Sequence, residues 1–358
     1  MKRVVALLQV LWLACAVPCV AMEALSPASM DEQYTYRVEV LQVTDIEPFQ
    51  QSLDGFLKAL EDAGFAQGRN LDVHRVKIDF DVENGGFWDR LGVLLRIRKE
   101  AMRIAAARPN LVLTIGTPAT KYARAILDEA HVPVVFTAVA NPADADCPSL
   151  TDAGPGVTGA TLYSDMGESM RIVKEVFPAV QKIGMVHTED ENGVAHVEAA
   201  RAAGREVGMA VASQQVAKHD SIIPAVKRLY EGGAGAQVFA VPLDAYYALR
   251  NYEPAKDLSD FGSENQVPVI SFAMMRVPGA MLYVGADFEV VGRLAGTQAV
   301  KILKRHVKPD ILPILRQARP TVLVDPQRVS ALKVELPASM LEHKVEGRAG
   351  FWQLSLER

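Results

Sequence analysis

The chain has 358 residues, 49% of them hydrophobic, and a formal charge of −5 at pH 7. An acidic balance without a Lys/Arg cluster excludes a nucleic-acid or anionic-membrane partner. Only one of its three cysteines, Cys147, lies beyond the first 21 residues, which excludes a disulfide framework for the rest of the chain.

The first segment reads as an export signal. Met1-Lys2-Arg3 carries positive charge, Val4 to Ala16 is apolar but too short to span a bilayer, and Cys19-Val20-Ala21 ends on small residues. Cleavage after Ala21 takes Lys2 and Arg3 away and moves the formal charge from −5 to −7. A competing reading makes Cys15 in Leu13-Ala14-Cys15 a lipidated residue, with Trp12 where Leu is usual. Either way the expected location is periplasmic. The remaining length suggests two domains.

Beyond a polar leader, strands alternate with amphipathic helices. A strand over 36–44, a helix over 50–63, a strand over 71–79, a basic helix over 88–107, a strand over 111–116, a helix over 118–129 and a strand over 132–138 follow in order. The order βαβαβαβ implies a parallel sheet covered on both faces. The stretch from Asn141 to Gly156, rich in Pro, Asp and Gly, breaks the pattern, and Val157-Thr158-Gly159 is taken as the crossing into a second domain.

A second series then runs as helix 166–176, strand 181–187, helix 193–207, strand 209–216, helix 221–231, strand 236–241, helix 245–260 and strand 267–272. The final third supplies a strand over 280–284, a helix over 288–304 and a strand over 321–324, expected to return to the first sheet and cross again. The expected fold is therefore α/β, with two doubly wound parallel-sheet lobes joined by a three-strand hinge. The first lobe takes 36–156 plus about 280–320, the second takes 157–275 plus about 321–345, and 346–358 form a tail.

Open α/β sheets bind ligands at the carboxyl ends of their strands. The loop after 111–116 carries Gly116 for close approach, Thr117 as an N-cap and Pro118 in the first helical turn, so the new helix presents free N–H groups to an anion. Thr137 to Asn141 form a second such loop, Glu189 to Asn192 and Pro242 to Tyr247 two more in the second lobe, and Gly285 to Phe288 a fifth. Asp244 and Asp287 each stand between an apolar strand and a helix, where a carboxylate holds a ligand ammonium or caps the helix. Tyr246, Tyr247, Phe136, Tyr163, Phe272 and Phe288 either line an apolar pocket or pack in the core. Catalytic signatures are absent from the sequence: there is no nucleophile elbow, metalloprotease helix or phosphate loop. The histidines are scattered, so no metal or cofactor is expected.

The segments TIGTPAT (114–120), PVVFTAVANP (133–142), GVTGATL (156–162), KIGMVHTEDEN (182–192), AVPLDAYY (240–247), PVISF (268–272) and GADFEVVGRLAG (285–296) together resemble ABC-transporter substrate-binding proteins, and within them the tryptophan- and phenylalanine-binding members. The resemblance spans about 36–340. It implies a type I periplasmic binding protein with a ligand cleft between two lobes. On the first lobe it places ligand contacts at Thr117, Pro118, Ala119, Thr137, Ala138 and Asn141, where many members carry Asp in place of the Asn. On the second lobe it places them at Glu191, Asn192 and Asp244, and at Asp287 in the segment that begins with Gly285; Tyr246, as a pocket aromatic, completes the candidate set.

The implied role is the solute-binding component of an ABC importer, a monomer that captures an amino acid or similar zwitterion and presents it to an inner-membrane permease. A periplasmic sensor that signals to a membrane receptor is the alternative, and an enzyme is not expected.

Overall fold

A computed structural model describes residues 34–78, 87–233 and 235–354. The expected signal segment, with Cys15, lies outside them. The first half builds β1 (Tyr36–Val43), α1 (Glu47–Asp62), β2 (Leu71–Ile78), α2 (Phe87–Ala107), β3 (Leu111–Ile115), α3 (Thr117–Glu129), β4 (Val134–Val139) and β5 (Val157–Thr161). The second series is α4 (Met166–Val176), β6 (Lys182–His187), α5 (Glu191–Glu206), β7 (Ala210–Gln215), α6 (Ile223–Glu231), β8 (Val238–Val241), α7 (Leu249–Glu264), β9 (Val269–Ser271) and β10 (Leu282–Gly285). The chain closes with α8 (Phe288–Arg305), β11 (Leu315–Arg316), β12 (Thr321–Val324), α9 (Pro326–Ala331), α10 (Ala338–Leu341), β13 (Lys344–Glu346) and β14 (Trp352–Leu354).

Two sheets result. The first has the order β11-β5-β4-β3-β1-β2 with every pairing parallel. Its central strands are buried along their whole length, which is why they read as continuous apolar runs instead of alternating. In β1 the two faces separate: Val38 and Val40 pack with Phe56 and Val291, while Leu41 and Val43 pack with Ile97 and Ile104. The second sheet has the order β13-β14-β12-β10-β9-β8-β6-β7, parallel from β10 to β7 and antiparallel from β10 outward.

Two strands sit elsewhere than the sequence reading placed them. Residues 157–161 pair in parallel with β4, so they complete the first sheet, and the crossing follows at 162–165. Residues 282–285 pair with β9 in the second sheet, and the chain returns to the first lobe only through α8. A short apolar strand carries no mark of which sheet it joins, because both sheets bury their central strands on both faces. The three crossings are thus 162–165, 286–287 and 317–320. One side chain laces two of them: Gln317 Oε1 accepts from the Asp287 N–H at 2.8 Å, and its Nε2 donates to Arg319 O and Thr321 Oγ1.

Helix α8 packs on α1 at backbone contact. A Cβ on Gly292 would lie 2.0 Å from Ser52 O, and one on Gly55 would lie 2.1 Å from Glu289 O. Ser52 Oγ donates to Phe288 O across the same seam. The tail belongs to the second sheet: β14 pairs with β12, Arg348 forms an ion pair with Asp287 at 3.0 Å, and Phe351 meets Tyr283 edge to face. No described helix is long and apolar enough to cross a membrane.

Candidate functional site

The carboxyl ends of both sheets open onto one cavity of about 570 Å³ between the lobes, within the range of small-molecule sites. From the first lobe it is lined by the loop after β1 (Val43 to Phe49), the start of α3, and Ala138 and Ala140. From the second come Asp190 and Asn192, the segment Leu243 to Ala245, and Tyr252, Met275 and Arg276. The lining is mostly apolar, with Phe49, Tyr252 and Phe288 as its aromatic members.

The α3 start differs by one residue from expectation. Gly116, with φ +88°, is the N-cap, and Thr117 and Pro118 are the first helical residues, so Thr117 does not cap. Only glycine adopts this φ cheaply, and a Cβ here would also lie 3.0 Å from the Phe49 ring. With no side chain capping the helix, its first N–H groups keep no intrahelical partner. Thr117 and Pro118 line the cavity, while Ala119 is buried inside the helix and does not.

On β4, Ala138 sits at φ +56° where the pairing with β5 shifts register, and it faces the cavity. Thr137 is fully buried, its Oγ1 is without a hydrogen-bond partner, and it does not line the cavity. Asn141 is also outside the lining: it caps a short turn by accepting from the Ala143 N–H at 3.2 Å.

In the second lobe, Asp190 caps α5 by accepting from the N–H groups of Asn192 and Gly193. Asn192 lines the cavity, and Glu191 is exposed beside it, outside the lining. Asp244 lines the cavity while being only 1% exposed. Its carboxylate accepts from Thr188 N at 2.7 Å, Thr188 Oγ1 at 3.0 Å and Tyr246 N at 2.9 Å. Burial pushes its carboxyl above the usual range, with the Thr188 and Tyr246 N–H bonds opposing the shift.

Tyr246 is a core residue. Its hydroxyl donates to Asp220 O at 2.8 Å, its ring packs on Tyr247, and burial pushes its phenol up to about 12. Tyr247, Phe136 and Phe272 are buried as well and Tyr163 is exposed outside the lining, so of the six aromatic residues considered from sequence only Phe288 reaches the cavity. Asp287 caps α8 through the N–H groups of Glu289 and Val290, pairs with Arg348, and stands outside the lining.

Two parts of the cavity escape a sequence reading. The loop after β1 follows a strand end like the others, and Pro48 at the second position of α1 was its signal; starting the helix at 50 hid it. Met275 and Arg276 follow β9 with no helix after them, so no cap pattern marks them. Tyr252 comes from a segment where Arg250, Asn251 and Tyr252 all take left-handed φ between 49° and 64°, an arrangement seen where structure holds residues at functional sites.

Carboxylates dominate the charged lining: Asp45, Glu47, Asp190 and Asp244, against Arg276 as its one Lys or Arg. Asp45 is paired with Lys77, whose hydrogen bond holds the carboxyl below its ordinary value. Among the described residues, no group of three or more His, Cys, Asp and Glu side chains is placed to hold a metal.

A family model for ABC transporter substrate-binding proteins matches residues 37–346, nearly the whole two-lobe body. The chain belongs to that family. As a substrate-binding protein it is a member of a family of binders, not of enzymes.

This substrate-binding protein is 23% identical over 308 residues to a tyrosine-binding protein of Clostridioides difficile strain R20291, covering 85% of its own chain and 83% of the relative. Among solved structures it is similar to a ligand-free, open substrate-binding protein with adhesive properties from Clostridium difficile, at 23% identity and a TM-score of 0.69 over 85% of this chain and 97% of that one. It is also similar to a Streptococcus pneumonia domain in complex with L-Trp, at 19% identity and a TM-score of 0.68 over 86% and 98%. The fold is that of a two-lobe type I periplasmic binding protein.

Proposed function

We propose that this substrate-binding protein is the periplasmic component of an ABC importer, capturing an amino acid or similar zwitterion between its lobes and delivering it, as a monomer, to an inner-membrane permease. The observation that carries this reading is the cavity itself: mostly apolar, bounded on one lobe by an uncapped helix start and on the other by carboxylates. An amino acid needs those features together. Its carboxylate meets the N–H groups at the start of α3, its ammonium faces Asp190 and Asp244, and its side chain lies against Phe49, Tyr252 and Phe288. The tyrosine-binding relative and the L-Trp complex support this ligand class.

Thermal unfolding of ligand-stripped protein against L-tyrosine, L-tryptophan, L-phenylalanine, L-leucine, sugars and nucleosides tests it. A ligand at a hundredfold excess over its Kd stabilises the folded state by about 2.7 kcal/mol. An upward shift of the midpoint with at least one amino acid is expected. Shifts confined to sugars or nucleosides, or no shift at all, would overturn the ligand class.

A further inference from the structure

We infer that Arg276 is the second lobe's grip on the ligand's carboxylate, meeting it from the side opposite the α3 start. The inference rests on the amino-acid reading and sharpens it: the acid group, not the amine, is the part of the ligand that both lobes hold.

Three observations carry it. Arg276 is exposed, lines the cavity, and is the one cationic side chain that does so. Each of the four lining carboxylates has a donor in its own lobe, which fixes its position beside the ammonium end of the ligand: Asp45 pairs with Lys77, Glu47 accepts from Gln51, Asp190 caps α5, and Asp244 ties Thr188 to Tyr246. Among the described residues Arg276 makes no salt bridge, whereas Arg75, Arg103, Arg293 and Arg348 each pair with a carboxylate.

What Arg276 does have is an aromatic neighbour. Its guanidinium carbon lies 5.6 Å from the centroid of the Tyr252 ring. Tyr252 ends the left-handed segment that starts at Arg250, whose own guanidinium donates to Lys218 O and Asp220 O. A contact with the ring uses none of the N–H groups in hydrogen bonds, and those donors match a carboxylate with two parallel hydrogen bonds. The α3 start contributes N–H groups from the other lobe, and it lines the same cavity as Arg276.

The test is titration calorimetry on ligand-stripped protein with L-tyrosine, L-tryptophan and L-leucine, each beside its decarboxylated amine (tyramine, tryptamine, isoamylamine), for the wild type, Arg276→Gln and Arg276→Lys. The wild type is expected to prefer the amino acid strongly over its amine. Arg276→Gln should weaken the amino acid by about tenfold to a hundredfold, the range for charge-assisted hydrogen bonds, while leaving the amine unchanged. Arg276→Lys should retain part of the affinity. Because the side chain is exposed, an unchanged unfolding midpoint is expected in both variants.

Unchanged amino-acid affinity in Arg276→Gln would overturn the inference and leave the amino-acid reading intact. An equal loss for amino acid and amine would also overturn it, since that marks a positional effect. A wild type that binds none of the amino acids would overturn the reading and the inference with it.

Discussion

At the scale of single residues, Asp244 shows how a carboxylate in a ligand cleft serves the fold first. It joins the loop after β6 to the loop after β8 through three donors, so the two strand ends of the second lobe present Asp190, Asn192 and Leu243 in a fixed arrangement. Asp244→Ala orphans the buried Thr188 and Tyr246 N–H groups, and a loss of about 1–3 kcal/mol of stability is expected. Ligand affinity should fall with it. Denaturant unfolding beside a binding titration checks this; full stability with lost affinity would mean that Asp244 contacts ligand without organising the loops.

The sequence marked Asp244, Thr117 and Asn192 because each ends a β-branched run and begins a helix. That same pattern marked Asp287, Asn141 and Glu191, which the cavity does not include. Strand-end position gives the edge of the sheet but not the direction of the side chain. Tyr246 and Tyr247 illustrate the second limit, since an aromatic pair after a strand is equally suited to lining a pocket and to filling the core.

Between elements, the most concentrated polar contact is at Glu39 on β1. Its fully buried carboxylate accepts from Arg37 of the same strand, contacts His74 of β2 at 2.8 Å and accepts from Arg103 of α2 at 2.9 Å. Burial alone would raise this carboxyl, but the Arg103 and His74 hydrogen bonds outweigh it and hold it below its ordinary value of 4.5. A carboxyl lowered on folding adds stability above its unfolded value, and that stability disappears as pH falls through the lowered one. Glu39→Gln should therefore destabilise the protein at pH 7 by about 1–3 kcal/mol, tempered by the partial exposure of the three cations. The difference from wild type should shrink as pH drops below 4.5. A difference that is constant from pH 7 to 3 would contradict the network's role.

Most elements were legible because each strand is short, apolar and punctuated, and each helix shows one apolar stripe. Assignment to a sheet was not: β5 and β10 have the same composition as their neighbours, and only pairing with β4 and β9 decides where they lie. The tail was also illegible. Trp352 to Leu354 add a strand by pairing with β12, a contact between distant segments that no local periodicity announces.

At the scale of the whole molecule, three crossings at 162–165, 286–287 and 317–320 connect two bodies whose strand ends face one cavity. The glycine-tight seam of α1 and α8 fixes the first body, and Gln317 couples two crossings, so the proposed closure of the lobes is expected to turn about these short segments. A ligand favours closure only to the extent that it binds the closed form better. Moving the population from 1:99 to 99:1 takes a preference of about 10⁴-fold, and under the proposed capture between the lobes that preference comes from contacts made by both lobes on one ligand. Small-angle scattering of the ligand-stripped protein, with and without a saturating amino acid that shifts its unfolding midpoint, tests this most directly. The account predicts a smaller radius of gyration with the amino acid bound. An unchanged scattering curve at full occupancy would contradict capture between the lobes.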